Sequence, residues 1–243
     1  MGYRSGGMVF PFKGDLDELV DLVNNWTEKC FEILAPNLKA NETIELELIK
    51  DNVVIIHNYS FFFSAYQDKG LWSERLKKSS LNDWVIFFEC VDSFNVASYL
   101  IFKNNIEVRR VSESEDQAFY QDGEPQDFEK EWLNASIAYE HEYQEDDEWK
   151  EEIITDPNFS LDDIEEWENY YKFYYVGSIN NSTNHLARQL LSDLSNKYLG
   201  FDLINDFYDL ENKITLGYGD ITENQLIVNK QKKSFFEKIL FWK

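Results

Sequence analysis

The sequence predicts an α+β fold in which an antiparallel meander sheet is packed with an N-terminal helix and C-terminal helices. Three observations predict it. Apolar residues recur at helical spacing after Asp15, apolar and acidic residues alternate from Thr43, and two β-prone runs flank Asn104-Asn105. A chain of 243 residues can bury a sizeable core as one large or two small domains. With no internal repeat, a single domain over 1–243 is the simplest account.

The opening helix announces itself at Asp15, which with Glu18 three residues on has the form of a capping box. Leu16, Leu19, Val20, Val23, Cys30 and Leu34 then repeat at helical spacing until Pro36. From Thr43 the period becomes two. Ile44, Leu46 and Leu48 take one face, Glu45 and Glu47 the other, and Val53-Val54-Ile55-Ile56 follows as a paired strand joined near Asp51-Asn52. A Phe/Tyr-rich connection, Phe61 to Tyr66, and a polar segment lead to Trp84–Val91, whose β-branched and aromatic residues predict a central strand. Next come Tyr99–Lys103 and Ile106–Ser112. Asparagine tolerates the positive φ of a tight turn, so Asn104-Asn105 joins them as a hairpin.

The next stretch is dominated by charge. Of 46 Asp and Glu residues, 22 lie between Glu113 and Glu168, against two basic residues there, Lys130 and Lys150. Their mutual repulsion opposes folding unless a cation or a basic partner offsets it. Asp122-Gly123 and Pro125 mark a turn, while Trp132, Tyr139, Tyr143 and Trp149 make the segment, about 113–170, too aromatic for a linker. Ser160 and Asp163 form a plausible cap for a helix with Leu161, Ile164, Trp167 and Tyr171 on one face and Asp162, Glu165, Glu166 and Asn169 elsewhere. A further helix is predicted over Thr183–Leu199, with Leu186, Leu190, Leu191 and Leu194 inward and Gly200 as its stop. A short β unit around Ile214–Tyr218 follows. Residues 229–243 carry five lysines beside Phe235, Phe236, Ile239, Leu240 and Trp242. This basic amphipathic helix would dock on the acidic body or on a membrane surface.

Composition narrows the function. A net charge of −23 repels nucleic acid and anionic membranes and favours basic proteins and cations. Met1 to Lys13 lacks the apolar stretch of a secretory signal, and no run approaches the roughly 18 apolar residues of a membrane span. A cytoplasmic protein is expected. Cys30 and Cys90 sit among apolar neighbours and are expected to be reduced and structural. Common catalytic motifs are absent: no Gly-x-Ser-x-Gly elbow, no phosphate-cradling glycine loop, no His-Glu-x-x-His pair and no paired cysteines for zinc. His141, between Glu140 and Glu142, has the neighbours of a metal ligand or a base, but sequence neighbours rarely converge on one ion. Glu145-Asp146-Asp147-Glu148 lacks the spacing and the glycine of a calcium loop. No catalytic residue, metal or cofactor is therefore expected. A spatially formed carboxylate pair remains open.

Recognition remains. Acids interleaved with Trp132, Tyr139, Tyr143, Trp149, Trp167 and Tyr170 supply steering charge and aromatic anchors, unless the aromatics are core and the acids merely cover it. The segment Trp84–Leu133 resembles small bacterial α+β families of polymorphic-toxin immunity proteins. The resemblance rests on the strand pair Tyr99–Lys103 and Ile106–Val111 with Arg109-Arg110, then Gly123-Glu124-Pro125 and Phe128-Glu129, about a fifth of the chain. It implies a cytoplasmic protein, not an enzyme, that neutralises a cognate toxin, with Gly-Glu-Pro fixing a turn. Combined with the charge pattern, this reading assigns contacts with a basic toxin surface to Glu145, Asp146, Asp147, Glu148, Trp149, Glu151 and Glu152. Asp162, Asp163, Glu165 and Glu166 would steer its approach. Two rivals stay open: an acidic nucleic-acid mimic that inhibits a DNA-binding enzyme, and a carboxylate-based enzyme.

Overall fold

In the computed structural model, residues 4–49, 52–79, 81, 83–145, 148–161, 164, 169–204 and 213–223 are described. Strand β1 (Arg4–Pro11) runs through the middle of the main sheet, a place the sequence reading left without a strand. Its glycines hide it, because glycine weakens strand propensity. Yet Gly7 belongs there: a Cβ at that position would stand 1.9 Å from the carbonyl oxygen of Ile56 on the neighbouring strand.

Helix α1 (Leu16–Thr27) follows, and both halves of its capping box form. The Glu18 amide donates to Asp15 Oδ1 at 2.9 Å and the Asp15 amide donates to Glu18 Oε2 at 3.1 Å. Asp15→Ala is expected to lower stability by about 1 kcal/mol in urea unfolding, and no measurable loss would show that the cap is dispensable. The helix ends sooner than the apolar spacing suggested. Glu28 turns left-handed (φ 58°), so Leu34 leaves the helix and Cys30 lies exposed in the connection, correcting its expected apolar setting.

Two short strands, β2 (Glu32–Ile33) and β3 (Leu38–Lys39), precede the paired strands β4 (Glu42–Ile49) and β5 (Val53–His57). The connection expected at Phe61–Tyr66 is instead helix α2 (Tyr59–Gln67), and the polar segment after it is helix α3 (Lys69–Lys78). Each has its cap: Asn58 accepts from the Ser60 amide and Asp68 from the Leu71 amide, both at 2.9 Å. Arg75, Lys77 and Lys78 in the last turn of α3 complement its dipole. The meander follows, with β6 (Trp84–Val91), a 3₁₀ turn, β7 (Val96–Lys103) and β8 (Ile106–Ser114) where strands were predicted, and β9 (Gln117–Gly123), a further strand where the acidic segment was expected to begin with a turn. Asn104 and Asn105 both take positive φ, 49° and 65°, at the β7–β8 hairpin.

The acidic segment then builds helix α4 (Lys130–Leu133) and a separate four-stranded sheet from β10 (Ser136–Glu145), β11 (Glu148–Ile154), β12 (Tyr170–Val176) and β13 (Ser178–Thr183). Tyr171, expected on a helix face, lies exposed in strand β12, and Trp167 falls outside the described residues. Helix α5 (Leu186–Leu199) stops at Gly200 (φ 75°), as predicted. Its N-terminus borrows an acceptor from the main sheet, for the Ala187 amide donates to Glu113 Oε2 at 2.8 Å. Burial pushes the Glu113 carboxyl above its ordinary value, although that hydrogen bond pulls the other way. Strands β14 (Lys213–Tyr218) and β15 (Thr222–Glu223) complete the described chain, and the basic segment 229–243 lies outside it.

The nine-stranded sheet has the order β2-β14-β4-β5-β1-β6-β7-β8-β9, antiparallel throughout, and β15 pairs with β3 in a separate two-stranded sheet. One face carries Met8, Phe10, Phe87 and Leu100 against Leu19, Trp26, Phe61 and Trp72 of the first three helices. The other carries Val9, Ile86, Phe88 and Ile101 against Trp132 and the leucines of α5. Burial on both sides explains why β6 reads as a continuous apolar run. Cys90 belongs to this second layer, and burial pushes its thiol up to about 11. Among the described residues, no helix is long and apolar enough to cross a membrane.

Candidate functional site

The acidic sequence from Ser136 to Ile154 folds as a β10–β11 hairpin, and its register decides which side chains meet. Glu145 pairs with Glu148, Gln144 with Trp149, Glu142 with Glu151, His141 with Glu152 and Glu140 with Ile153. Directly opposed residues share a face, and successive residues alternate. One face of the sheet therefore presents Glu140, Glu142, Trp149, Glu151 and Ile153, extended by Tyr171 opposite Glu140 on β12. It is open. Trp149 is 73% exposed, Tyr171 52% and Ile153 46%, values unusual for large apolar side chains.

The opposite face is organised by stacking. His141 lies parallel to Tyr170, ring centroids 4.1 Å apart, and stacks on Tyr143 at 5.1 Å. Phe159 bridges Tyr139 and Tyr170 at 5.0 and 5.6 Å. Lys150, on this face, forms an ion pair with Glu145. His141 is thus packed between aromatic rings. Among the described residues, no group of three or more His, Cys, Asp or Glu side chains is placed to hold a metal ion.

The residues assigned to contact are consequently divided. Trp149 and Glu151 share the open face, whereas Glu145, Glu148 and Glu152 project from the other. Asp146, Asp147, Asp162, Asp163, Glu165 and Glu166 lie outside the described residues. Sequence reasoning did not place Glu142, Ile153 and Tyr171 on the face that carries Trp149. The alternation of Ile137, Tyr139, His141 and Tyr143 with Ala138, Glu140 and Glu142 was a legible strand signal, but the cross-strand partners depend on register. Opposed Glu142 and Glu151, like opposed Glu145 and Glu148, destabilise the isolated hairpin.

A second cluster collects the residues on which the family resemblance rests. Arg109 is 1% exposed and Glu129 fully buried. Arg109 donates from Nε to Glu129 Oε1 at 2.9 Å, from Nη1 to the Gly123 carbonyl at 3.0 Å and from Nη2 to Gln121 Oε1 at 2.7 Å. The Tyr99 hydroxyl and the Gln126 amide also donate to the Glu129 carboxylate. Burial, reinforced by the Glu129 charge, pushes the Tyr99 phenol well above its ordinary value. Gly123 has φ +81°, and an added Cβ would stand 2.2 Å from the Val108 carbonyl oxygen, so the turn admits little but glycine. Arg110 faces the other way, gripping both Glu107 oxygens at 3.0 and 2.8 Å and stacking over Tyr66. Arg109, Tyr99 and Glu129, all buried, fasten the acidic segment to the sheet.

His57 stands 3.0 Å from Glu47 within the main sheet, and His185 occupies the N-cap position of α5. An open cavity of about 510 Å³ beside the 3₁₀ turn is lined by residues including Glu89, Phe94, Ser114 and Glu115, with no histidine, cysteine or lysine among the described residues of its wall. Comparison of the chain with protein-family models, curated proteins and solved structures found no match.

Proposed function

We propose that this is a cytoplasmic immunity protein that neutralises a cognate basic toxin by stoichiometric occlusion, using the Trp149 face of the β10–β11 hairpin. The observation that carries the reading is the pairing of an exposed tryptophan with opposed carboxylates. Trp149 lies two pairs along the ladder from Glu142 and Glu151, on the same face. Exposed aromatics act as anchors in protein interfaces, and a basic partner relieves the like-charge opposition while drawing steering from the net charge of −23. The bidentate and buried contacts of Arg109 and Arg110 assign the family-like residues to scaffolding.

The test begins with capture of partners from the lysate of the native host, followed by kinetics with the partner recovered. Trp149→Ala is expected to weaken binding by about 2 kcal/mol or more, roughly 30-fold in Kd. Glu151→Lys is expected chiefly to slow association and flatten its salt dependence. A stoichiometric partner that is toxic when expressed alone supports the reading. Affinity indifferent to salt and to both substitutions would remove the hairpin from the interface, and recovery of DNA-processing enzymes alone would favour a nucleic-acid mimic.

A further inference from the structure

The open face of the β10–β11 hairpin has an order of its own. Half-buried Glu142 and exposed Glu151 stand directly opposite each other, and the Cβ atoms of such a pair are about 4.5–5.5 Å apart. Trp149 is the next same-face residue of β11 on one side of this pair, and Ile153 is the next on the other, each about 6.8 Å along the strand. Glu140 lies opposite Ile153 and Tyr171 opposite Glu140, so an acid with an apolar residue on either side closes that end. The two lysines of β10, β11 and β12, Lys150 and Lys172, both project from the opposite face, where Lys150 pairs with Glu145. The carboxylate pair thus stands between an exposed indole and an apolar row, with no cation of these three strands beside it.

We propose that this face selects arginine over lysine: a partner's guanidinium lies on the Glu142–Glu151 pair with its plane against the Trp149 indole, and an apolar residue two positions away meets Ile153 and Tyr171. The chemistry of the two cations decides the choice. A guanidinium offers a planar fork of donors that two carboxylates can share, is weakly hydrated and stacks on aromatic faces. An ammonium is a compact, strongly hydrated charge that gains little from the indole. Tryptophan is the best aromatic partner for a cation, and arginine uses it more often than lysine does. The step of about 6.8 Å from Glu151 to Ile153 matches the separation of residues i and i+2 in an extended segment, so the recognised element is arginine, any residue, then an apolar one. A surface basic through lysine alone is steered to the hairpin but not held there. The inference rests on the reading of this face as the partner surface and names the side chain it selects.

NMR titration of the full chain at constant ionic strength tests the proposal, with the capped peptide Arg-Thr-Leu-Thr-Arg and its equally charged twin Lys-Thr-Leu-Thr-Lys as probes at up to about 10 mM, a range that reads weak binding. The expected result is a shift of the Trp149 indole N–H and of the Glu142 and Glu151 amides, with the lysine twin at least about fivefold weaker there. Serine in place of the central leucine should cost about threefold. Trp149→Leu should bring the two probes to within about twofold of each other. Glu142→Gln with Glu151→Gln should weaken both at this face while the hairpin stays folded, since it removes a like-charge opposition. Equal binding of the two probes overturns the arginine assignment and leaves a face read by charge alone. Shifts confined to other acids of the chain, or an arginine preference that survives Trp149→Leu, also overturn it. The wider reading of the face fails by a different result, a captured partner that binds with or without Trp149.

Discussion

Glu129→Ala is expected to cost about 3–5 kcal/mol of stability, read as a fall in the urea midpoint at unchanged slope. The residue lies in the most acidic stretch of the chain, yet its carboxylate is buried and receives Arg109, the Tyr99 hydroxyl and the Gln126 amide. Alanine leaves the Arg109 charge in the interior with its carbonyl and Gln121 contacts but no counterion. The cost therefore comes mainly from stranding a charge. Replacing the cluster together, by Arg109→Met, Glu129→Leu and Tyr99→Phe, should recover much of the loss, since apolar groups of similar volume avoid desolvation. A loss below about 1 kcal/mol for Glu129→Ala would mean that solvent reaches Arg109 and that the cluster is not a sealed fastening.

Trp72→Ala should lower stability by a similar amount, about 3–5 kcal/mol, through a cavity in the opposite layer. Trp72 is buried with ring centroids 4.7 Å from Phe87, 5.5 Å from Phe61 and 5.9 Å from Trp26, and its Nε1 donates to Ser64 Oγ at 3.0 Å. Its removal withdraws the residue common to these ring contacts between α1, α2, α3 and β6. Near-ultraviolet circular dichroism should lose much of its aromatic signal, and urea unfolding should give the energetic loss. Trp72→Phe, which keeps ring area but not the donor, should lose less. Equal stability of Trp72→Ala and wild type would show that the helices close over the gap.

What was legible in the sequence was local. Asn104-Asn105 specifies its own turn, Asp15 and Glu18 complete a cap within one helical turn, and Gly200 terminates α5 by its own left-handed conformation. β1 was not legible, because its identity depends on the close approach of Gly7 to Ile56 on a strand far along the chain. Helix α2 was obscured by three consecutive phenylalanines, of which Phe61 and Phe62 turn inward and Phe63 outward. At the hairpin, Trp149 stood out in the sequence and Ile153 shares its face by alternation along β11, whereas Glu142 and Tyr171 join that face only through register. Glu129 was concealed most fully, since composition makes every acid of the segment look solvent-facing and only tertiary contact shows otherwise.

The order of the main sheet also sets a sequence of events during synthesis. β14 lies between β2 and β4, pairing Leu216 with Ile33 on one side and with Ile44 on the other. Until residues 213–218 leave the ribosome, β4 lacks this neighbour and β2 has no route into the sheet. Closing that gap requires contacts across most of the chain, the kind of pairing whose loop entropy slows folding. The nascent protein must therefore carry an open strand from the emergence of β4 until β14 arrives to seal the sheet.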